Sequence, residues 1–172
     1  MDYVGGEQDL VDGVVRAIGD PHARMEEDKL RMLRAVRFAA TFDFELEVAT
    51  AEAVQSMSDQ ISVVSVERIA QELRRMLVDR HRGRAVELCN DLGLLLRIIP
   101  ELEAVVCDRE CWTQLHNGLA SLVEPDFVLA FGLLLDSAIG AIQKARTIDS
   151  RLAKVIGHRL KLSNHEIDTA EW

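Results

Sequence analysis

Between Glu26 and Arg37 the sequence sets three acidic residues, Glu26, Glu27 and Asp28, ahead of Arg31, Arg34 and Arg37, with Arg24 just upstream. A carboxylate only accepts hydrogen bonds and a guanidinium only donates them. Side by side, they match an edge that offers a donor next to an acceptor. Cytosine presents such an edge with its 4-amino group and N3, adenine with its 6-amino group and N1. Guanine and uracil would put a carbonyl oxygen against the carboxylate. Each buried hydrogen bond left unmade costs about 1–3 kcal/mol, enough to sort the bases. At about 100° per residue, Arg24, Glu27, Asp28 and Arg31 share one face of a continuous helix, and Leu33, Val36, Ala39 and Ala40 take the other. The alternative for the same residues is a solvated face whose ion pairs are worth well under about 1 kcal/mol.

The elements that must carry these residues read as helices. Asp20 can cap and Pro21 suits the first helical position, which predicts one long helix from there to about Thr41. Upstream, Gly5 and Gly6 break any helix, and Asp9 to Gly19 form one short amphipathic stretch. Downstream, the run from Phe42 to Val48 is a short extended connector whose phenylalanines plug a core, with a small strand pair as the alternative. Thr50 opens a helix to about Ser58. Ser65 opens another, with Val66, Ile69, Leu73, Met76 and Leu77 on one face. A helix stopped by Gly93 and an apolar segment ended by Pro100 follow. Further helices are predicted over residues 109–123, 125–139 and 149–162, and Ser163 with Glu166 has capping-box spacing for one that runs to Trp172. The predicted fold class is all-α, a multi-helix bundle or arc.

Composition agrees. The chain has 172 residues, 48% apolar and only 5% aromatic, a balance that suits helices packed on helices. No run of uncharged apolar residues is long enough to span a membrane, and the first ten residues show no secretory signal. Cys89, Cys107 and Cys111 fit no disulfide framework, which leads to an expectation of reduced thiols in a cytoplasm. The net charge of −9 would repel nucleic acid if it were uniform, but arginine concentrates between Arg16 and Arg84. Arg74, Arg75, Arg80, Arg82 and Arg84 crowd one short stretch with His81. That stretch is either a solvated helix end or a patch for RNA phosphates.

The segment from Asp2 to Ala40 resembles the head–neck junction of the bacterial tRNA nucleotidyltransferase and poly(A) polymerase family, which includes the CCA-adding enzymes. The resemblance rests on the glycine pair Gly5-Gly6 with Asp9-Leu10, on Arg16 and Gly19, on Asp20-Pro21 with Arg24, and on Glu27-Asp28 followed by Leu30-Arg31, Leu33-Arg34-Ala35 and Arg37-Phe38-Ala39. Met25 stands where the family usually has phenylalanine. The segment from Ser65 to Leu77 resembles the neck that follows, and that from Arg159 to Glu166 a stretch of the tail.

In that family the Glu-Asp-x-x-Arg element templates the incoming base. The resemblance therefore implies that Asp28 and Arg31 make the base-edge bonds with CTP or ATP and that Glu27 holds the arginine. It also implies that Arg24 and Arg34 order the site or approach the triphosphate, and that Glu67 and Arg68 brace the helix. It divides the chain into a hinge over residues 1–19, a neck over 20–92 and a helical body or tail over 93–172. The implied partner is the 3′ end of tRNA or another RNA, with no membrane. Nucleotidyl transfer needs paired carboxylates that hold Mg2+. The family carries them in a Gly-rich head, and no matching Asp-x-Asp strand occurs here. The reading is thus a neck-and-body fragment with no catalytic residues and no metal site of its own, inactive alone. A helical interaction module without nucleotide chemistry is the competing reading. Cys107, Cys111 and His116 have no standard zinc spacing, so the two cysteines read as buried thiols, and Leu135 before Asp136 breaks a likeness to metal phosphohydrolases.

Overall fold

A computed structural model of the chain describes residues 5–123, 126–144 and 152–170. The predicted helix starts at Pro125 and Asp149, and the chain end at Trp172, lie outside the described residues. The fold is all-α, as expected. In chain order it runs α1 (Gly6–Asp12), β1 (Val14–Val15), α2 (Pro21–Glu27), α3 (Arg31–Phe42), β2 (Glu45–Leu46), α4 (Val48–Ser56), α5 (Val66–Leu77), α6 (Arg82–Asp91) and α7 (Leu95–Ile98). Then come α8 (Glu103–Cys107), α9 (Arg109–Ser121), α10 (Phe127–Lys144), α11 (Leu152–Arg159) and α12 (Asn164–Ala170). Short 3-10 turns cover Ser58–Val63 and Pro100–Leu102.

Side-chain caps set several of the helix starts. Asp20 accepts from the Ala23 amide at 2.7 Å, with Pro21 in the first turn of α2. The predicted capping box is present. The Ser163 amide donates to Glu166 at 2.8 Å, and the Glu166 amide donates to the Ser163 hydroxyl at 3.3 Å. One start differs from expectation: α4 opens at Val48 rather than Thr50, because Glu47 accepts from both the amide and the hydroxyl of Thr50. A single apolar cluster runs from Met25 to Ile167. Within it lie the stripe of α3 (Met32, Leu33, Val36, Ala40), that of α5 (Ile69, Leu73, Met76, Leu77) and the buried side of α10.

Three further expectations are corrected. The stretch from Asp9 to Gly19 is not one helical unit. Gly13, at φ 67°, ends α1 in the left-handed region that glycine adopts freely, and the chain then extends as β1. The connector after α3 forms the small strand pair: β2 lies parallel to β1, with Val14 opposite Glu45 and Val15 opposite Leu46. Its phenylalanines do not plug a core. Phe42 is 56% exposed and Phe44 half-buried. Phe38 and Phe42, one turn apart, lie on the side of α3 away from its apolar stripe, with ring centroids 6.0 Å apart, and Phe44 joins them at 5.8 Å from Phe42.

Candidate functional site

The long helix predicted across the acid–arginine stretch is two helices. α2 stops at Glu27, Asp28 is extended (φ −151°, ψ 104°), and α3 begins at Arg31. Asp28 itself is the cause. Its carboxylate accepts the Leu30 amide at 3.1 Å and its carbonyl accepts the Arg31 amide at 3.0 Å. A short acidic side chain bonded to the backbone two residues on competes with the helical ladder. Lys29 covers the end of α2, donating to the Glu26 carbonyl at 3.3 Å.

The break changes who pairs with whom. On a continuous helix Asp28 and Arg31 would be neighbours. Here Asp28 pairs with Arg68 of α5 at 2.8 Å. Arg31 turns back across the break. Its Nη1 donates to the Glu27 carboxylate at 2.5 Å and to the Arg24 carbonyl at 2.8 Å. Glu27 also accepts from Arg24 at 2.6 Å, so one carboxylate holds both arginines. The Arg31 hydrogen bond keeps the Glu27 carboxyl below its ordinary range. Partial burial works against the charge on Asp28, but the bonds from Arg68 and the Leu30 amide outweigh it and hold that carboxyl low. Both acids are ionised near neutrality. Among the described residues nothing takes the Nε or Nη2 hydrogens of Arg31.

Arg24, Arg31 and Arg34 line a cleft of about 210 Å³ with Met25, Phe38 and the Val15–Ile18 strand end. It adjoins a wider trough of about 640 Å³ that runs under α1 along Phe38, Phe42 and Phe44. Glu27 and Asp28 do not line the cleft; they stand at the break behind it. The structure therefore brings together the three arginines and holds two of them, Arg24 and Arg31, through Glu27, while Asp28 is oriented by Arg68. Glu67, expected as a second brace, instead pairs with Lys161.

Sequence reasoning missed Glu72. This carboxylate is about 2% exposed, yet it meets Arg37 at 2.7 Å, Arg75 at 2.9 Å and Arg34 at 3.5 Å. The signal was present: position 72 sits inside the stripe Ile69, Leu73, Met76, where an acid is out of place.

The basic stretch Arg74–Arg84 is not one patch. Arg82 is buried and donates to the carbonyls of Leu77 (2.9 Å), Leu119 (3.1 Å) and Leu122 (2.9 Å). It caps the C-terminal ends of α5 and α9, where unpaired carbonyls and the helix dipole both favour a cation. Arg74 is bound in fork fashion to Glu166 at 3.0 and 2.7 Å. Arg84 holds Asp43, Glu45 and the Phe44 carbonyl. Arg75 and Arg80 remain exposed, and Arg80 pairs with no acid among the described residues. Cys89 and Cys111 are buried and Cys107 is exposed. Among the described residues no group of three or more His, Cys, Asp or Glu is gathered to hold a metal ion, and no helix is long and apolar enough to cross a membrane.

The helical scaffold turns three arginines toward a cleft beside an aromatic trough, a donor set suited to phosphate. Residues 43–105 match the family model described as the probable RNA and SrmB-binding site of polymerase A. The chain is 41% identical to the CCA-adding enzyme of Bacillus subtilis over 98% of its own length and 41% of that protein. It is 30% identical to the CC-adding tRNA nucleotidyltransferase of Halalkalibacterium halodurans over 96% of its length and 43% of that protein. The Bacillus stearothermophilus CCA-adding enzyme in complex with CTP superposes with a TM-score of 0.71 at 26% identity, covering 99% of this chain and 39% of that one. A tRNA-processing enzyme in apo form shares the fold with a TM-score of 0.75 at 19% identity. The chain belongs to the tRNA nucleotidyltransferase family of the CCA-adding enzymes, and it spans less than half the length of the relatives it matches.

Proposed function

We propose that this chain is the base-selecting and RNA-binding part of an RNA 3′-end nucleotidyltransferase that adds C or A from CTP or ATP. The observation that carries the reading is Arg31. Glu27 and the Arg24 carbonyl occupy one of its nitrogens and fix its pose, while its remaining donors are left for a ligand at the cleft. In this reading Arg31 donates to N3 of cytosine or N1 of adenine. Asp28, which stands behind the cleft bonded to the Leu30 amide and Arg68, gives up Arg68 in this reading to accept from the amino group on the same edge. Guanine and uracil lack that amino group at the matching position and are refused. Arg24 and Arg34 face the phosphates.

Residues 1–19 act as the hinge, 20–92 as the neck that carries the site, and 93–172 as the body that holds the RNA; Arg75 and Arg80 are the phosphate contacts left from the basic stretch. The transfer step itself, with the Mg2+ that supplies its electrophilic assistance, belongs to residues outside this chain, which alone is inactive. The family match, and the relative whose structure contains CTP, support this assignment.

The test measures binding and incorporation of each of the four nucleoside triphosphates by the full-length protein that carries this region. Wild type is expected to prefer CTP and ATP, and Arg31→Ala to erase the preference at unchanged helicity. GTP binding as tight as ATP binding refutes the reading.

A further inference from the structure

The carboxylate of Glu72 is buried in an apolar stripe, a costly position for an anion that lacks partners. Three guanidiniums offset the cost, and they come from two elements: Arg34 and Arg37 from α3, Arg75 from α5. Arg37 is the closest, and its guanidinium also lies 4.2 Å from the Phe38 ring centroid, which leaves it little freedom. Arg34 is different. It approaches Glu72 through Nε at 3.5 Å, its side chain is 45% exposed, and it lines the cleft with Arg24 and Arg31. Nε is thus its nearest nitrogen to the buried acid, while the side chain borders the cleft. Three cations around one anion leave two positive charges in excess. The exposed member of the trio on the cleft side is Arg34, which also feels the Asp28 carboxylate.

We propose that Glu72 is a positioning residue for nucleotide binding: from the core it fixes Arg34 so that its outer donors meet the phosphates of the nucleotide whose base Arg31 reads. The proposal rests on the reading of the cleft as a nucleotide site and adds the residue that orients its phosphate end. A guanidinium held near an acid on its Nε side, here by an ion pair at 3.5 Å, keeps both terminal nitrogens as a fork for phosphate oxygens. Without the post, Arg34 is a freely rotating surface side chain that must be ordered at the moment of binding.

The test compares CTP, CMP and cytidine with the full-length protein, by calorimetry or competition, in wild type, Glu72→Gln, Arg34→Gln and the double variant. Glu72→Gln is expected to weaken CTP roughly three- to tenfold, the cost of ordering one arginine side chain at the moment of binding. It should leave cytidine affinity and the preference for CTP over UTP unchanged. In the Arg34→Gln background the same change should have no further effect on CTP. Equal losses for CTP and cytidine, or additive losses in the double variant, overturn the proposal in favour of a purely structural role. If Glu72→Gln does not fold, Arg34→Gln alone decides: wild-type CTP affinity in that variant refutes it. Because the preference for CTP over UTP reports base reading and the CTP-to-cytidine ratio reports phosphate binding, failure of one is distinguishable from failure of the other.

Discussion

Replacing Arg82 by leucine should destabilise the chain far more than any other arginine change in the basic stretch. The side chain is 2% exposed and makes three hydrogen bonds to main-chain carbonyls, with no carboxylate among them. Leucine keeps part of the volume but abandons the carbonyls of Leu77, Leu119 and Leu122 at the ends of two helices. Each buried acceptor left unpaired costs about 1–3 kcal/mol, and water reaching a loosened helix end recovers some of it. The desolvation cost of the guanidinium is also relieved. A net loss of about 2–4 kcal/mol follows. At roughly 2–4 °C per kcal/mol for a chain of this size, Tm should fall by about 5–15 °C. Thermal unfolding followed by far-ultraviolet circular dichroism measures it, with Arg80→Leu as the exposed comparison, expected within about 0.5 kcal/mol of wild type. An Arg82→Leu protein that melts with the wild type would refute the capping role. So would one that loses only the salt dependence of RNA binding, since that is the signature of a phosphate contact.

Two other outcomes follow from the ionisable groups. The Glu166 carboxyl is held at about 2, first by the hydrogen bonds from Arg74, against some cost from burial. A carboxyl lowered in the folded state stabilises above its unfolded value and loses that contribution as pH falls toward the folded one. Glu166→Gln should therefore flatten the acid limb of the stability curve between about pH 4.5 and 2, and superimposable acid limbs would count against the Arg74 pairing. Burial pushes the Cys89 thiol up to about 12, so in the native protein at mildly alkaline pH an aromatic disulfide reagent should label Cys107 quickly and Cys89 only after denaturation. Fast native labelling of Cys89, read by peptide mass, contradicts the packing described.

The helical class and most helix starts were legible because they are written locally: Asp20-Pro21, Ser65, the Ser163–Glu166 box and the apolar stripes of α3 and α5 each act within a few residues. What escaped was decided at a distance. Whether Asp28 continues a helix or breaks it depends on its own local bond and on Arg68, forty positions away. The strand at Val14 exists only because Glu45 comes alongside. The residue types at the site were legible from their spacing and from the family resemblance, but the pairing was not: spacing joined Asp28 to Arg31, whereas the fold gives Asp28 to Arg68 and Arg31 to Glu27. Charge alone could not reveal that Arg82 serves two helix ends, one of them contributed by α9.

The clasp between Arg74 and Glu166 joins positions 92 residues apart. Closing so long a span is entropically unfavourable until the intervening segments have settled, so α12 must dock late on the folding route. The same ordering runs in reverse under native conditions. α12 should detach before α3 and α5 open, and its amides should exchange with deuterium ahead of theirs.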